Sequence, residues 1–389
     1  MLVLTWLVLA GAAAPPDREA ATAAVLEGLA RDHHPGLAVL VRANGRTAFE
    51  RTYGVRDLRT RPRIDASAGF RLASVTKQLT AAVVMLLVRD GQLRFEDTLP
   101  DALPGFPDFA RNLTIRHLLT HTSGLPDYET LMEESEKAGG ARWTAERQIR
   151  DDEVRALLEK APRPRFAPGT RWAYSNSGYV LLGLIAARAA GRPFGDVLRE
   201  RIFAPLGMTR TLAFEAGRNQ VPDRAYGHTK EGAGFRETDQ SPTSATLGDG
   251  GVYSCLEDLA KWDEALRTRA LLSEAELRLA LTPVRLSDGS PPVWPDEPGG
   301  DNLFPGRPVA YGFGWFLDPW QGRPRTWHHG ETMGFRSVVE RFPADGLTIV
   351  MLANRDDLDL RSLALKLAEA QLIGPSPEPG PPPTARRPP

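Results

Sequence analysis

Apolar positions along the chain change their spacing several times. Residues 17–31 carry Ala24, Val25 and Leu29 at helical offsets, and two runs of strand character follow, residues 37–42 and 47–54. Asn44-Gly45 between those runs is a strong two-residue hairpin signal. From about residue 114 to 213 apolar residues recur at spacings of three and four, as at Val154, Leu157 and Leu158, so this stretch is expected to be helical. Near the other end, residues 337–342 and 347–353 flank Pro343-Ala344-Asp345-Gly346, which predicts a second hairpin, and residues 358–373 predict a closing helix. Strands at both ends around a helical middle imply an α+β fold. Its antiparallel sheet would be built from N- and C-terminal segments and flanked by helices, with an all-helical subdomain inserted at roughly residues 111–248. A length of 389 residues suits one large domain over residues 17–373.

Three stretches stand apart from that pattern. Residues 1–14 are apolar throughout and end in small residues, the form of a secretory signal with a cleavage region near Ala10-Gly11-Ala12. The run is shorter than the ~20 residues of a spanning helix, so an exported protein, periplasmic or extracellular and without a stable membrane anchor, is expected. Residues 374–389 are dense in Pro and predict an extended tail; residues 287–308, full of Pro, Gly and Asp, predict a long surface loop.

Composition narrows the classes of partner. With 42% hydrophobic and 25% charged residues the chain matches an ordinary globular protein, and a net charge of −1 lacks the basic excess of a nucleic-acid binder. Small molecules are the expected partners, and a monomer is the default. Cys255 is the sole cysteine, so no intrachain disulfide or cysteine-based metal site can form, and its flanks predict a buried small hydrophobe. H-E-x-x-H is absent, and neither metal nor cofactor is expected.

Candidate chemistry begins at Ser74-Val75-Thr76-Lys77, just before the apolar run of residues 79–88. Residues three apart share a helix face, so Lys77 would lie beside the Ser74 hydroxyl, which is a weak nucleophile until a neighbour takes its proton. Alone, the spacing equally describes a helix cap followed by a solvated lysine. A second element, Tyr174-Ser175-Asn176, follows the turn residues Ala167-Pro168-Gly169 and precedes an apolar helix. Tyr174 could relay a proton, and Asn176 offers a donor and an acceptor. A third, His328-His329-Gly330, lies just before the C-terminal hairpin, with Gly330 allowing a close backbone approach by substrate. His121, and His117 before it, read as structural.

These three elements, in this order, resemble the active-site signature of the serine β-lactamase-like and penicillin-binding-protein superfamily, most closely its class C-like branch. Residues 115–126, ending in His121-Thr122-Ser123-Gly124-Leu125-Pro126, and Gly250-Gly251-Val252-Tyr253-Ser254 are also typical of that group, and the likeness spans about residues 20–372. The resemblance implies a β-lactamase/transpeptidase-like fold and a covalent acyl-enzyme on Ser74. Lys77 or Tyr174 would be the base, and the backbone N–H groups of Ser74 and Glu331 would hold the oxyanion. Members that recognise penicillin usually carry Lys-Thr-Gly at the third element, where the cation binds a substrate carboxylate; here His328 stands in that place. The expectation therefore moves toward an esterase or a D-amino-acid peptidase or carboxypeptidase, with a class C-like β-lactamase and a non-catalytic module binding cell-wall peptides or acyl ligands as alternatives. If His328 meets a substrate carboxylate, that affinity should rise as pH falls through about 6.5.

Overall fold

The computed structural model describes residues 17–29, 31–161, 163–296 and 302–372. The expected signal at residues 1–14, the tail at 374–389 and residues 297–301 of the expected loop lie outside them.

The two ends of the chain build one sheet. Five antiparallel strands run in the order Arg46–Tyr53, Leu37–Ala43, Leu347–Ala353, Phe335–Phe342, Thr326–Thr332. The first hairpin turns at Asn44 (φ 51°) and Gly45 (φ 78°), the paired left-handed conformations that a two-residue turn of this hand requires. Its inner strand pairs Leu37 with Ala353 and Ala43 with Leu347, so the N-terminal hairpin is zipped to the C-terminal one along seven residues. That strand is buried on both faces, which is why residues 37–41 are apolar without alternation. Leu37, Val39 and Val41 face a layer made by the helices Arg18–Leu26 and Leu360–Gln371. Ala38 and Leu40 face the larger core around the helix Thr76–Arg89.

The helix Thr76–Arg89 is buried on every side from Thr76 to Leu87, as a helix apolar all round must be. A second helix, Leu256–Thr268, lies against the same sheet through Asp263. The Asp263 carboxylate accepts from Arg42 Nη1 at 2.6 Å, Arg341 Nε at 2.9 Å and Thr348 Oγ1 at 2.7 Å, tying three strands to one helix in a buried network.

The inserted region is not all helical. It contains the helices Ile115–Leu119, Tyr128–Lys137, Asp151–Glu159 and Asn176–Ala190. It also contains the short strand Leu212–Ala213 and a hairpin, His228–Glu231 with Gly234–Glu237, turning at Gly232 (φ 58°). Strands this short carry too little period-two signal to stand out among helices. The first helix ends at Leu26, because Glu27 is extended and Gly28 left-handed. The last begins at Leu360, where the Asp359 side chain caps the N–H of Ser362. Cys255 is buried as expected, and burial pushes its thiol up to about 12.

Removing the hub of the buried ion network should be costly, since it strands Arg341 without a counter-charge and leaves Arg42 only the half-exposed Glu264. Asp263→Ala is expected to lose about 3–5 kcal/mol in urea unfolding and Asp263→Asn clearly less; equal unfolding midpoints for Asp263→Ala and wild type would remove Asp263 as the hub.

Candidate active site

Ser74 sits on a tight turn between the two-residue strand Phe70–Arg71 and the buried helix Thr76–Arg89. Ala73 just before it has φ 45°, a left-handed conformation costing a non-glycine residue about 1–2 kcal/mol. The residues 73–75 form one 3-10 turn, and Lys77 follows as the second residue of the α-helix. Lys77 is fully buried. Its Nζ lies 2.8 Å from Ser74 Oγ, 2.8 Å from Asn176 Oδ1 and 3.0 Å from the Asp249 carbonyl. The last two atoms only accept, so each engages an N–H of Lys77; the contact with Ser74 Oγ is one across which a proton can pass either way.

Tyr174 and Asn176 come to the same point from the helical side. Ser175 caps the helix Asn176–Ala190 by accepting from the N–H of Gly178 at 3.1 Å, which makes Asn176 the first helical residue and turns its amide onto Lys77. The Tyr174 ring stands 4.9 Å from Lys77 Nζ. One residue of this site was read from sequence as structural only: His121. Its Nδ1 accepts from the N–H of Ser175 at 3.1 Å, its carbonyl accepts from Ala173, and its ring lies 4.4 Å from that of Tyr174. It holds a left-handed φ of 59°, which no sequence pattern announces. Asp249, whose carbonyl binds Lys77, was also missed; the only signal was its place directly before Gly250-Gly251. His117 is structural as expected, capping its helix through Thr114.

The third element differs in detail from expectation. His328 lies on the edge strand Thr326–Thr332 but is fully buried behind Tyr174, with ring centroids 6.2 Å apart, and does not line the cleft. Its Nδ1 meets the His329 carbonyl at 2.7 Å and its Nε2 the Tyr311 hydroxyl at 3.1 Å. Burial above all, then His329 and Lys77, holds its pKa well below the usual 6.5. A neutral, enclosed imidazole is a poor carboxylate receptor, so the expected gain in anion affinity near pH 6.5 is corrected: His328 supports the site from behind. Gly330 is likewise corrected, because the close approach it permits is to the chain itself. A Cβ there would fall 2.1 Å from the Leu72 carbonyl oxygen, 2.5 Å from Ser337 Oγ and 3.0 Å from Ser74 N.

Strand pairing also orients Glu331. Trp327 bonds away from the sheet, its N–H and C=O pairing with Phe316 at 3.0 and 2.8 Å. Alternate residues of an antiparallel strand point their backbone groups the same way, so the Glu331 N–H shares that outward direction, on the side where Gly330 meets the Ser74 turn. Above Ser74 opens a cleft of about 1310 Å³, bounded by Tyr174, Asn176, Asp249, Glu331 and the helix Tyr128–Lys137.

Two outcomes follow. Gly330→Ala is expected to destabilise the protein by about 1–3 kcal/mol through overpacking, and to slow covalent labelling of Ser74 more than tenfold; a labelling rate equal to wild type would mean that the strand does not press on the Ser74 turn. The His329 side chain keeps 13% of its surface exposed but is largely enclosed, and desolvation first, then Arg361, Lys77 and Arg336, holds it down to about 3. A histidine depressed when folded contributes stability above its unfolded pKa of about 6.5, and that contribution is lost as pH falls toward the folded value. Urea unfolding between pH 7 and 4.5 should show His329→Gln losing less stability with acid than wild type, by at most about 1.4 kcal/mol per pH unit; parallel slopes would show that His329 is not buried neutral.

Comparison with known proteins agrees with this geometry. The family model described as Beta-lactamase matches residues 21–372. "Penicillin-binding protein 4*" of Bacillus subtilis is 31% identical over 367 residues, covering 90% of this chain and 75% of that protein. A D-aminopeptidase of Gluconobacter oxydans is 27% identical over 350 residues, covering 88% of this chain but only 59% of the relative. Among solved structures, D-amino acid amidase from Ochrobactrum anthropi in complex with L-phenylalanine superposes with a TM-score of 0.72 at 25% identity, covering 90% of this chain and 98% of the amidase. With a family match running from the first helix to the last and the Ser74–Lys77 pair at its centre, the chain belongs to the Beta-lactamase family.

Proposed function

We propose that this protein is a serine hydrolase that acts on an ester or amide through a covalent acyl-enzyme, as an esterase or a D-amino-acid peptidase. The observation that carries the reading is the buried Lys77 Nζ, held 2.8 Å from Ser74 Oγ while Asn176 and Asp249 engage its other side. With two N–H groups so committed, a neutral Lys77 turns its lone pair to the Ser74 hydroxyl and takes its proton as Oγ attacks the carbonyl. Tyr174, 4.9 Å away at its ring, is the other candidate for that transfer. Negative charge on the former carbonyl oxygen would be received by the N–H groups of Ser74 and Glu331. The proton then passes to the departing alcohol or amine, and water repeats the sequence on the acyl-enzyme. Asn176 and Gly330 support the site, the first by fixing Lys77 and the second by letting the edge strand reach the Ser74 turn.

The D-aminopeptidase and D-amino acid amidase relatives favour substrates of that general class. A class C-like β-lactamase is less well supported, because the third element offers buried neutral imidazole where a cation would bind the antibiotic's carboxylate. A binding module without turnover would have no use for a lysine aimed at a serine hydroxyl. The apolar stretch at residues 1–14 supports export. Among the described residues no helix is long and apolar enough to cross a membrane.

A fluorophosphonate probe should label wild type and fail on Ser74→Ala, and Lys77→Ala should lower p-nitrophenyl ester hydrolysis by about 10²–10⁴-fold. Labelling of both wild type and Ser74→Ala alike would overturn the assignment of the nucleophile.

A further inference from the structure

Among the described residues, sulfur is within reach of solvent at one position. Met85, Met132, Met208 and Met351 are buried, and so is Cys255, whereas Met333 is 45% exposed. Met333 is set apart by its surroundings too. Of the large apolar side chains left exposed, Leu279, Val293, Phe304 and Met333, only Met333 lines the cleft above Ser74. A thioether is oxidised where peroxide can reach it, and the sulfoxide that forms is polar where the parent side chain was apolar.

The edge strand fixes where Met333 stands relative to the reacting atoms. It follows Glu331 by two residues, in the turn between the strands Thr326–Thr332 and Phe335–Phe342. That turn is docked on the chain at Gly227-His228: the N–H of His228 donates to the Gly334 carbonyl at 3.2 Å, and Gly334 packs on Gly227. The thioether is thus presented from a fixed backbone. The strand also gives the cleft a direction. His328, near its start, packs on Tyr174, the side from which Tyr174 or Lys77 returns a proton to the departing group. Met333 lies at the other end, on the order of 15 Å further along the strand. A carbonyl held between the N–H groups of Ser74 and Glu331, with its leaving group toward Tyr174, directs its acyl chain toward Met333.

We propose that Met333 is an oxidation site that controls how the cleft handles apolar acyl groups; this rests on Ser74 being the nucleophile of a hydrolase. A hydroperoxide gives one oxygen to the Met333 sulfur, whose lone pair forms the S–O bond as the O–O bond breaks. The sulfur is oxidised by two electrons, and hydrogen peroxide is reduced to water or an organic hydroperoxide to its alcohol. The sulfoxide places a strong dipole where a long acyl chain would lie against the thioether, so that chain loses its apolar contact. An acetyl group ends short of Met333 and keeps its rate.

The test treats the protein with hydrogen peroxide and compares p-nitrophenyl hexanoate with p-nitrophenyl acetate. Mass mapping should find the first added oxygen in the tryptic peptide of residues 326–336, whose one sulfur is that of Met333. The hexanoate-to-acetate ratio of kcat/KM should then fall by about fourfold or more, the worth of one buried methylene. Methionine sulfoxide reductases with dithiothreitol, which release the oxygen as water while the dithiol becomes a disulfide, should restore the ratio. Met333→Leu should hold its own ratio through peroxide treatment, and Met333→Gln should show the lowered ratio without it. Oxygen appearing first on another methionine, an unchanged ratio in oxidised wild type, or a Met333→Leu ratio that falls as far as that of wild type overturns the proposal. Untreated wild type that the fluorophosphonate does not label would instead remove the hydrolase reading.

Discussion

A lysine nitrogen with no access to water can be kept in a protein only if its donors are satisfied, and the site is organised around meeting that demand for Lys77. The helix Thr76–Arg89 carries Lys77 into the interior, and three segments far apart in sequence converge on its nitrogen: the Ser74 turn, the start of the helix at Asn176 and the Asp249 carbonyl. Each partner depends on its own support. Asn176 is placed by the Ser175 cap, the cap is held by His121, and Asp249 is tied by Tyr128 to the helix Tyr128–Lys137. Loss of any one would leave a buried polar group unmatched, so the requirement at one atom constrains much of the chain.

The sheet supplies the opposite wall. Its closure by pairing the first and last hairpins sets the edge strand Thr326–Thr332 against the Ser74 turn, and Gly330 removes the side chain that would hold the two apart. The backbone of that strand, not its imidazoles, then reaches the reacting centre. His328 and His329 stand behind it in an aromatic cluster with Tyr174, Tyr311, Phe316 and Trp327, held neutral chiefly by burial. Where a cation would favour substrates bearing a carboxylate, this chain presents neutral rings, and the charge of the cleft comes from acidic residues. The two features act in the same direction on substrate choice.

Much of this was legible along the chain because it depends on local spacing. Short apolar runs on either side of Asn44-Gly45 and of residues 343–346 announced the two hairpins, and apolar residues at three and four announced the helices. The separation of Ser74 from Lys77 set them on one face of a turn, and the residues after Gly169 placed Tyr174 and Asn176 at a helix start. Less was legible where local signal is weak or conformation unusual. The short strands within the inserted region lack enough residues to show a period, and the left-handed φ of Ala73 and His121 leaves no trace in composition.

By itself, then, the sequence determined which residues could do chemistry and in which elements they would lie, since residue type and short-range periodicity act through neighbours a few positions away. Only the tertiary structure decided their surroundings. It showed that His328 is enclosed and neutral, that Gly330 makes room for the chain instead of a ligand, that His121 holds the Tyr174 loop, and that the Asp249 carbonyl binds Lys77. Burial, desolvation and close packing arise between segments 50 to 300 residues apart, as in the pairing of Lys77 with Asn176 or Ser337 with Leu72. No local pattern encodes contacts of that range, because each is settled only when the whole core closes.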